Sequence, residues 1–503
     1  MIYFLLCGFG HTLMSSTADT ASETPSAQTR SYLERNKVRE VLQSALNEII
    51  VKKPEDFAGH LYTLMKQRAL PPSIHHLVGR EVLDSRGNPT VEVDVYASFL
   101  GEVILAARSS APSGASTGSN EARELRDNDP ARFNGKGTKK AVENVNTKIS
   151  QAVKGLSFQD LYQIDSAIWK SDPTELKENI GGNATTAASF AIAEAAAKLQ
   201  EEPLFIYFAR QFHREMPTKF RLPTPFFNIL NGGKHAGGKL KIQEFMIAPT
   251  PKYPFPDQLR IAAEVYQKLG GILAKELGVS SKNLGDEGGF APLLDTPDQA
   301  LNLIERAIRE AGYEPGEDVM LGLDAAASEF YDSKTGKYEI ETGVFKSGDE
   351  LIEYWKGLVE RHPAIASIED GFDEKDFKHW TSFNNQVGDR LQLVGDDLYT
   401  TNPRIIEQGL KSKWANALLL KVNQIGTITQ AMKAARLITD AEQNVMVSHR
   451  SGETCNSVIA DLAVGIGAKY IKTGSTARGE RIQKYTRLLQ IYEYLVENKL
   501  LEE

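Results

Sequence analysis

Cysteine is scarce in this chain: Cys7 and Cys455 are the only two among 503 residues. Two cysteines cannot supply the framework of a small disulfide-rich secreted protein, so we expect a reducing, cytoplasmic location. Long apolar runs are also missing. The most hydrophobic stretch, MIYFLLCGFGHTLM, has no basic region before its apolar core and is too short to cross a bilayer, so no membrane association is expected. A cryptic signal peptide is one interpretation; we favour translation from Met14 ahead of a disordered polar leader.

A cluster of basic residues is missing as well. Lysine and arginine number 58 against 66 aspartates and glutamates, which gives a net charge of −8. A nucleic-acid-binding surface normally needs a concentration of positive charge, so we expect no nucleic-acid partner. The length is sufficient for two or three domains with a large core.

Changes in composition divide the chain into four segments. Residues 1–30 are rich in serine, threonine and alanine and are predicted to form a disordered leader, and residues 31–72 carry two amphipathic helical stripes that break at Pro54. Residues 73–217 begin with predicted antiparallel strands joined by turns such as SRGNP and then become helical, which indicates an α+β domain. Residues 218–503 are expected to form a third folded domain.

The last segment repeats an apolar, β-branched run that ends on a charged residue. These endings are Asp324, Glu369, Asp396, Lys421, His449 with Arg450, and Lys472. From Glu369 onward they are separated by about 25 residues, which is typical of one strand plus one helix in a parallel α/β barrel. Active sites of such barrels lie at the carboxyl ends of the strands, where these charges fall.

Three of the endings are carboxylates, and we interpret Asp324, Glu369 and Asp396 as ligands of a divalent cation. An aspartate after a strand is also a common helix N-cap, so one acid of each pair, Glu369-Asp370 and Asp396-Asp397, could be a cap. Oxygen ligands without nearby cysteine or histidine favour Mg²⁺ over Zn²⁺. The two lysines suggest a cationic base beside the metal.

Seven motifs resemble those of the enolase family and occur in the same order. They are SGASTG (113–118), LNGGKHAGG (230–238), QEFMIAP (243–249), GDEGGFAP (285–292), LLLKVNQIGT (418–427), VSHRSGET (447–454) and IKTG (471–474). The resemblance covers the chain from Ile74 to its end. It implies an α+β domain followed by a TIM-like α/β barrel, a homodimer, and the reversible Mg²⁺-dependent dehydration of 2-phosphoglycerate to phosphoenolpyruvate in glycolysis and gluconeogenesis.

The same resemblance implies a role for each matched residue. Asp324, Glu369 and Asp396 would hold a first Mg²⁺, and Ser116 would bind a second that arrives with substrate. Lys421 would be the general base and Glu287 the general acid, with Glu244 sharing its proton network. The substrate would be contacted by the residues His235, Gln243, Glu244, Glu369, Asp396, Ser448, His449, Arg450, Ser451 and Lys472, and His449 also belongs to the catalytic set.

Several positions depart from the usual family pattern, namely Asn120, Lys234, Gly371 and Gly479. None of them is a predicted metal ligand, base or acid, so the departures bear on loop closure and rate. Two alternatives stay open: a catalytically weak scaffold with an enolase-like fold, and another superfamily lyase acting on a different carboxylate.

Residues 31–72 resemble the dimerisation and docking modules of regulatory subunits, including Dpy-30-like modules. The resemblance implies a two-helix unit that pairs into a four-helix bundle and binds an amphipathic helix of an anchoring protein. Such a module would tether the enzyme to a scaffold, for example a ciliary or flagellar one. The alternative is a helical extension that packs on its own enolase-like domain.

Overall fold

The computed structural model describes residues 26–114, 118–236 and 238–502, apart from the side chains of Lys234 and His235. Contacts within it divide the chain into two units. The first contains residues 26–71 with residues 99–102, and the second contains residues 72–98 with residues 103–502.

The first unit contains three helices in place of the two predicted: α1 (Ala27–Arg35), α2 (Val38–Lys52) and α3 (Phe57–Lys66). The additional helix, α1, begins within the predicted disordered leader of residues 1–30, whose first 25 residues lie outside the described chain. Lys37 separates α1 from α2 because its φ of 47° is left-handed and cannot continue a helix. The second break falls at the predicted position around Pro54, and the Asp56 side chain accepts the backbone N–H of Gly59 at 2.9 Å to cap α3.

The second unit begins with a three-stranded sheet in the order β1 (Ser73–Leu83), β2 (Pro89–Phe99) and β3 (Glu102–Ser110). β1 and β2 are antiparallel, as predicted, with Arg80 opposite Glu92. The turn between them needs a glycine because Gly87 has a φ of 76°.

A helical layer follows the sheet. It contains a 3-10 turn (Phe133–Gly135), α4 (Lys139–Asn144), a π-helical turn (Val145–Ile149), α5 (Ser150–Val153), α6 (Leu161–Lys170), α7 (Gly182–Leu199) and α8 (Leu204–Phe212). The alanine-rich α7 is buried along nearly its whole length, because small side chains allow neighbouring elements to approach from all sides. Sheet and helices together form the expected α+β domain.

The remaining strands form a closed barrel and a small three-stranded sheet. In chain order they are β4 (Thr224–Asn231), β5 (Glu244–Pro249), β6 (Val319–Asp324), β7 (Tyr331–Asp332), β8 (Lys337–Glu341), β9 (Val344–Lys346), β10 (Ile365–Glu369), β11 (Gln392–Gly395), β12 (Ala417–Leu420), β13 (Asn444–Ser448) and β14 (Tyr470–Lys472). The barrel order is β10-β11-β12-β13-β14-β4-β5-β6, and β7, β8 and β9 form the small sheet.

One strand contradicts the prediction of a wholly parallel barrel. β5 runs antiparallel to both β4 and β6, whereas the other barrel neighbours are parallel. Parallel pairing of consecutive strands needs a crossover, usually with a full helix, and the connection from β4 to β5 contains only the four-residue α9 (Gly233–Ala236). The predicted fold class, a TIM-like α/β barrel after an α+β domain, is otherwise confirmed.

Helices surround the barrel, and a helix is also the last element of the described chain. They are α10 (Phe255–Leu277), a 3-10 turn (Val279–Lys282), α11 (Pro297–Glu310), a 3-10 turn (Ala327–Phe330), α12 (Gly348–Arg361), α13 (Phe377–Val387), α14 (Pro403–Ser412), α15 (Val422–Ile425), α16 (Ile428–Asp440), α17 (Val458–Gly465) and α18 (Gly479–Glu497). Local sequence fixes several starts: Thr296 with Gln299, and Ser347 with Glu350, form reciprocal capping boxes. None of the described helices is both long and apolar enough to span a bilayer.

The barrel interior is filled rather than hollow. Its core contains Phe226, Met246, Val394, Leu419 and Met446, contributed by five different strands. Apolar side chains therefore fill the inside of the barrel, and the charged residues that follow the strands lie at one end of it.

Candidate active site

The charged endings of the strands meet at the carboxyl end of the barrel. Asp324, Glu369 and Lys472 are the last residues of β6, β10 and β14, while Asp396 and Lys421 directly follow β11 and β12. Neighbouring strands in register bring these positions to the same height; Glu369, for example, lies opposite Asp324. The recurrence of charge along the sequence thus becomes a ring in space.

Lys472 is the centre of a buried ionic cluster. Its Nζ donates to Asp324 Oδ2 at 3.0 Å and to both oxygens of Glu369 at 2.9 Å, and it lies 2.9 Å from Glu244 Oε2. Burial alone would lower the pKa of Lys472, but Asp324, Glu244 and Glu369 raise it well above its usual value. Lys472 is therefore a permanent cation.

Lys421 has a different setting. Its Nζ donates to Asp396 Oδ2 at 2.5 Å, and burial, which would lower the pKa of Lys421, is outweighed by that carboxylate, so the pKa lies above its usual value. Asp396 shows the reciprocal shift: burial would raise its pKa, but Lys421 and then Arg450 hold it below the usual value. The charge state of Lys421 thus depends on how strongly the Asp396 carboxylate stabilises its ammonium form.

Negative charge exceeds positive charge beside these lysines. Burial and the neighbouring Asp324 carboxylate raise the pKa of Glu369 well above its ordinary value, even though Lys472 acts in the opposite direction. An additional cation would reduce the electrostatic repulsion between these buried carboxylate oxygens.

Among the residues that the structure describes, one trio of acids has oxygens all within 4.8 Å of one another: Asp370, Asp396 and Asp397. The predicted trio of Asp324, Glu369 and Asp396 is less tightly gathered: Lys472 contacts Asp324 and Glu369, and Lys421 contacts Asp396. Asp370 has a backbone role, since its two oxygens accept the N–H groups of Asp396 and Asp397 at 2.9 and 2.8 Å. Asp370 therefore holds the loop after β11 in place and does not act as a helix N-cap.

A second pair of acids lines the same cavity and shares Glu244 with the Lys472 cluster. Asn228 Nδ2 donates to Glu244 Oε2 at 2.7 Å and to Glu287 Oε2 at 3.0 Å, so one amide holds the two carboxyl groups together. Glu287 is almost completely buried, and His449 Nε2 is 3.6 Å from its Oε1. The predicted neighbourhood of Glu244 and Glu287 is present in the fold.

The protonation of His449 follows from its partners. Burial, followed by the Arg481 guanidinium, lowers the pKa of His449 well below its usual value, so the imidazole is neutral. Arg481 Nη1 lies 2.9 Å from Nδ1 and can only donate, so Nδ1 accepts and Nε2 carries the proton. The N–H of Nε2 is thereby available to Glu287.

Arg450 is fixed at the other end of the cavity. Its Nη1 donates to Glu121 Oε2 at 2.9 Å and to Asn423 Oδ1 at 3.0 Å. Burial would lower the pKa of Arg450, but Glu121 and Asp396 raise it, so the guanidinium stays charged. A planar cation held in this way suits a phosphate or carboxylate.

Most predicted site residues line one cavity. Its lining consists of Gln243, Glu244, Glu287, Asp324, Asp396, Lys421, Ser448, His449, Arg450, Ser451 and Lys472. Glu369 contacts Lys472 beside it. Gln243 Oε1 is buried without a hydrogen-bond partner in the described chain, so it can accept a hydrogen bond from a bound ligand. Ser116 and the His235 side chain lie outside the described residues.

Family models match most of the chain. The model of the enolase N-terminal domain matches residues 74–208, and that of the enolase C-terminal TIM barrel domain matches residues 219–502. The chain belongs to the enolase family. It therefore has the fold of the enolase-type hydro-lyases, a family that generally binds Mg²⁺ and typically forms dimers.

The acidic residues of this enolase-family site fit Mg²⁺. The donors are carboxylate oxygens, the ligand type that Mg²⁺ prefers, and Glu369, whose pKa is raised by burial and then by the Asp324 carboxylate, would be stabilised as an anion by a bound cation. Asp324, Glu369 and Asp396 are the residues that would hold the ion, because Asp370 uses both its oxygens on backbone N–H groups.

Sequence reasoning missed two buried residues of the enolase site. Gln424 lies within the motif LLLKVNQIGT but received no role; its Nε2 donates to Asp396 Oδ1 at 2.7 Å and to Glu121 Oε1 at 3.2 Å. Glu121 follows the SGASTG motif and resembles an ordinary polar residue in the sequence. No local signal distinguishes it, because its partners are distant in the chain.

Proposed function

We propose that this enolase-family chain catalyses the reversible, Mg²⁺-dependent dehydration of 2-phosphoglycerate to phosphoenolpyruvate, the phosphopyruvate hydratase reaction of glycolysis and gluconeogenesis. The observation that carries the proposal is the convergence of the buried Lys472, the partly buried Lys421, the buried Glu287 and the charged Arg450 on one cavity. A structural scaffold has no physical need for this costly combination of buried charges.

Lys421 is the proposed base that removes the proton next to the substrate carboxylate. It has one carboxylate within hydrogen-bonding distance, whereas Lys472 has three, so Lys421 is the lysine that can become neutral. Lys472, as a permanent cation, is the proposed contact for the substrate carboxylate. Its positive charge would stabilise the negative charge that proton removal creates on the substrate.

Glu287 is the proposed acid that assists departure of the 3-hydroxyl group. It shares the Asn228 amide with Glu244, and the neutral His449 presents its Nε2–H toward it. Two neighbouring carboxyl groups in a buried site favour keeping one proton between them, which is the state an acid needs. Arg450, with Ser448 and Ser451, is the proposed phosphate contact.

Asp324, Glu369 and Asp396 would hold Mg²⁺, whose positive charge would stabilise the negative charge that proton removal leaves on the substrate carboxylate. Enolase-superfamily sites that pair a lysine base with Mg²⁺ are a known pattern, and this chain has the residues for it. Ser116 is the proposed ligand of a second, substrate-dependent Mg²⁺.

The decisive experiment measures the absorbance of phosphoenolpyruvate formed from 2-phosphoglycerate by the purified full chain. We expect turnover that is lost in excess chelator and restored by Mg²⁺. Turnover unaffected by the chelator would contradict the metal assignment. Absence of turnover at saturating Mg²⁺ and substrate would favour the scaffold alternative.

We also propose that residues 31–72 form a docking module that pairs with a second copy and binds an amphipathic helix of an anchoring protein. Only Ala45 and Leu64 are buried apolar residues in this segment, whereas Ile50, Val51 and Phe57 are exposed by 61–80%. A segment of about 40 residues rarely buries enough apolar surface alone. In cells, we propose a cytoplasmic enzyme tethered to a scaffold such as a cilium or flagellum, which imaging of tagged chains with and without residues 26–71 would test.

A further inference from the structure

Glu121 is a buried carboxylate that contacts three separate parts of the active-site surroundings. Its Oε2 accepts from Arg450 Nη1 at 2.9 Å, and both side chains are at most 5% exposed. Its Oε1 accepts from the Gly118 backbone N–H at 3.0 Å and from Gln424 Nε2 at 3.2 Å. One side chain thus engages a guanidinium, a backbone amide and a side-chain amide.

Gln424 continues the connection toward the acidic residues. The amide group that reaches Glu121 also donates to Asp396 Oδ1 at 2.7 Å, and its Oε1 accepts from Thr401 Oγ1 at 2.8 Å. All polar atoms of the Gln424 amide are therefore engaged, which fixes its orientation. Asp396 meets Lys421 through its other oxygen.

The network connects two side chains of the cavity that have different proposed roles. Arg450 stands at the proposed phosphate end and Asp396 at the proposed metal end, and both line the cavity. Glu121 and Gln424 connect them through hydrogen bonds of 2.7–3.2 Å. Buried networks in which the members have partners are rigid, so a displacement at one end is transmitted to the other.

We propose that Glu121 is a positioning residue that holds Arg450 for the phosphate and, through Gln424, holds Asp396 for the metal ion. The proposal rests on the proposed function, since it concerns the distance between the phosphate and metal ends of that site. A carboxylate suits this position because it accepts from all three partners at once, and its negative charge holds the Arg450 guanidinium.

The two connections can be tested separately in the full chain. Glu121→Gln keeps an acceptor for Gly118 and Gln424 but removes the charge that holds Arg450. We expect the KM for 2-phosphoglycerate to rise by about tenfold or more with kcat changed far less, because a phosphate contact contributes equally to ground state and transition state. Gln424→Leu keeps the Glu121–Arg450 ion pair and should instead raise the Mg²⁺ concentration needed for half-maximal rate.

Thermal unfolding supplies a readout without turnover. Inorganic phosphate with Mg²⁺ should raise the melting temperature of the wild type, and that rise should shrink in Glu121→Gln but not in Glu143→Gln, a matched change at an exposed glutamate. A merely structural role would lower the melting temperature of Glu121→Gln without altering the phosphate-induced rise or KM.

The possible outcomes separate this proposal from the proposed function. Suppose that phosphate raises the melting temperature of the wild type but not of Glu121→Gln, and that the wild type forms no phosphoenolpyruvate. This result would support the positioning role while contradicting the proposed reaction. Unchanged KM and an unchanged phosphate-induced rise in Glu121→Gln would overturn the positioning role even if the wild type is fully active. An unchanged Mg²⁺ requirement in Gln424→Leu would overturn the connection to the metal end.

Discussion

At the scale of single residues, the two active-site lysines differ in their number of carboxylate partners. Lys472 donates into three carboxylates, and Lys421 contacts Asp396. Removing a proton from a lysine costs least where the fewest negative charges stabilise the ammonium form. This difference in surroundings supports Lys421 as the base and Lys472 as the fixed cation, although both lysines lie at the carboxyl ends of barrel strands.

The base assignment predicts the effect of Lys421→Ala. We expect kcat to fall by about 10²–10⁴-fold, which is the usual contribution of a positioned general base. The measurement is phosphoenolpyruvate formation at saturating substrate and Mg²⁺. Lys411→Ala, at an exposed lysine of α14, is the matched control and should keep the wild-type rate. A Lys421→Ala enzyme with the wild-type kcat would refute the assignment.

The acid assignment predicts that Glu287→Gln separates two steps. Dehydration should be strongly reduced, whereas exchange of the substrate α-proton with solvent should persist because Lys421 is intact. The two rates can be followed by absorbance and by proton NMR in deuterated buffer. Equal loss of both would mean that Glu287 is needed for proton abstraction as well, and the two roles would have to be reassigned.

At the scale of elements, α10 contains adjacent glycines with opposite surroundings. A Cβ on the exposed Gly271 would meet no atom within 4 Å, whereas one on Gly270 would lie 2.8 Å from Phe290 Cζ. We expect Gly271→Ala to raise the free energy of unfolding by about 0.5–1 kcal/mol, the usual difference in helix interiors. Gly270→Ala should lower it by about 1–3 kcal/mol through overpacking. Denaturant midpoints of the two variants provide the comparison, and equal shifts would contradict it.

The α11–α12 pair contains an ionic contact whose contribution depends on pH. His362, at the end of α12, lies 2.9 Å from Glu305 Oε1 and 3.2 Å from Asp298 Oδ1, and Glu305 is the main cause of its raised pKa. A folded-state pKa above the unfolded value of about 6.5 means stabilisation that is complete below that pH. It is lost as pH rises through the folded-state pKa.

His362→Gln should therefore destabilise the protein more at acidic than at alkaline pH. The measurement is the free energy of unfolding of the variant and the wild type, obtained by denaturant titration once at acidic and once at alkaline pH. His213→Gln is the control: burial lowers the pKa of His213, so its pH dependence should have the opposite sign. A His362→Gln penalty that grows with pH would contradict the assignment.

At the scale of the whole molecule, the exposed apolar side chains of residues 26–71 predict self-association. Expressed alone, this segment should be a helical dimer by sedimentation and circular dichroism, because pairing is the available route to bury Ile50, Val51 and Phe57. Ile50→Glu should weaken the dimer, whereas Lys53→Glu, at an already charged position, should not. An unfolded monomer would remove the physical basis of the docking proposal.

The sequence alone determined the barrel, the strand-end placement of the charged residues and the family. Those features depend on spacing along the chain, which local sequence records directly. Only the tertiary structure decided the reversed direction of β5, the backbone role of Asp370 and the connection from Glu121 to Arg450. Glu121 and Arg450 are 329 positions apart, and the conformations of the intervening chain decide that they meet. Local periodicity contains no information about such partners, so chemistry at strand ends can be read in sequence while the residues that hold it in place cannot.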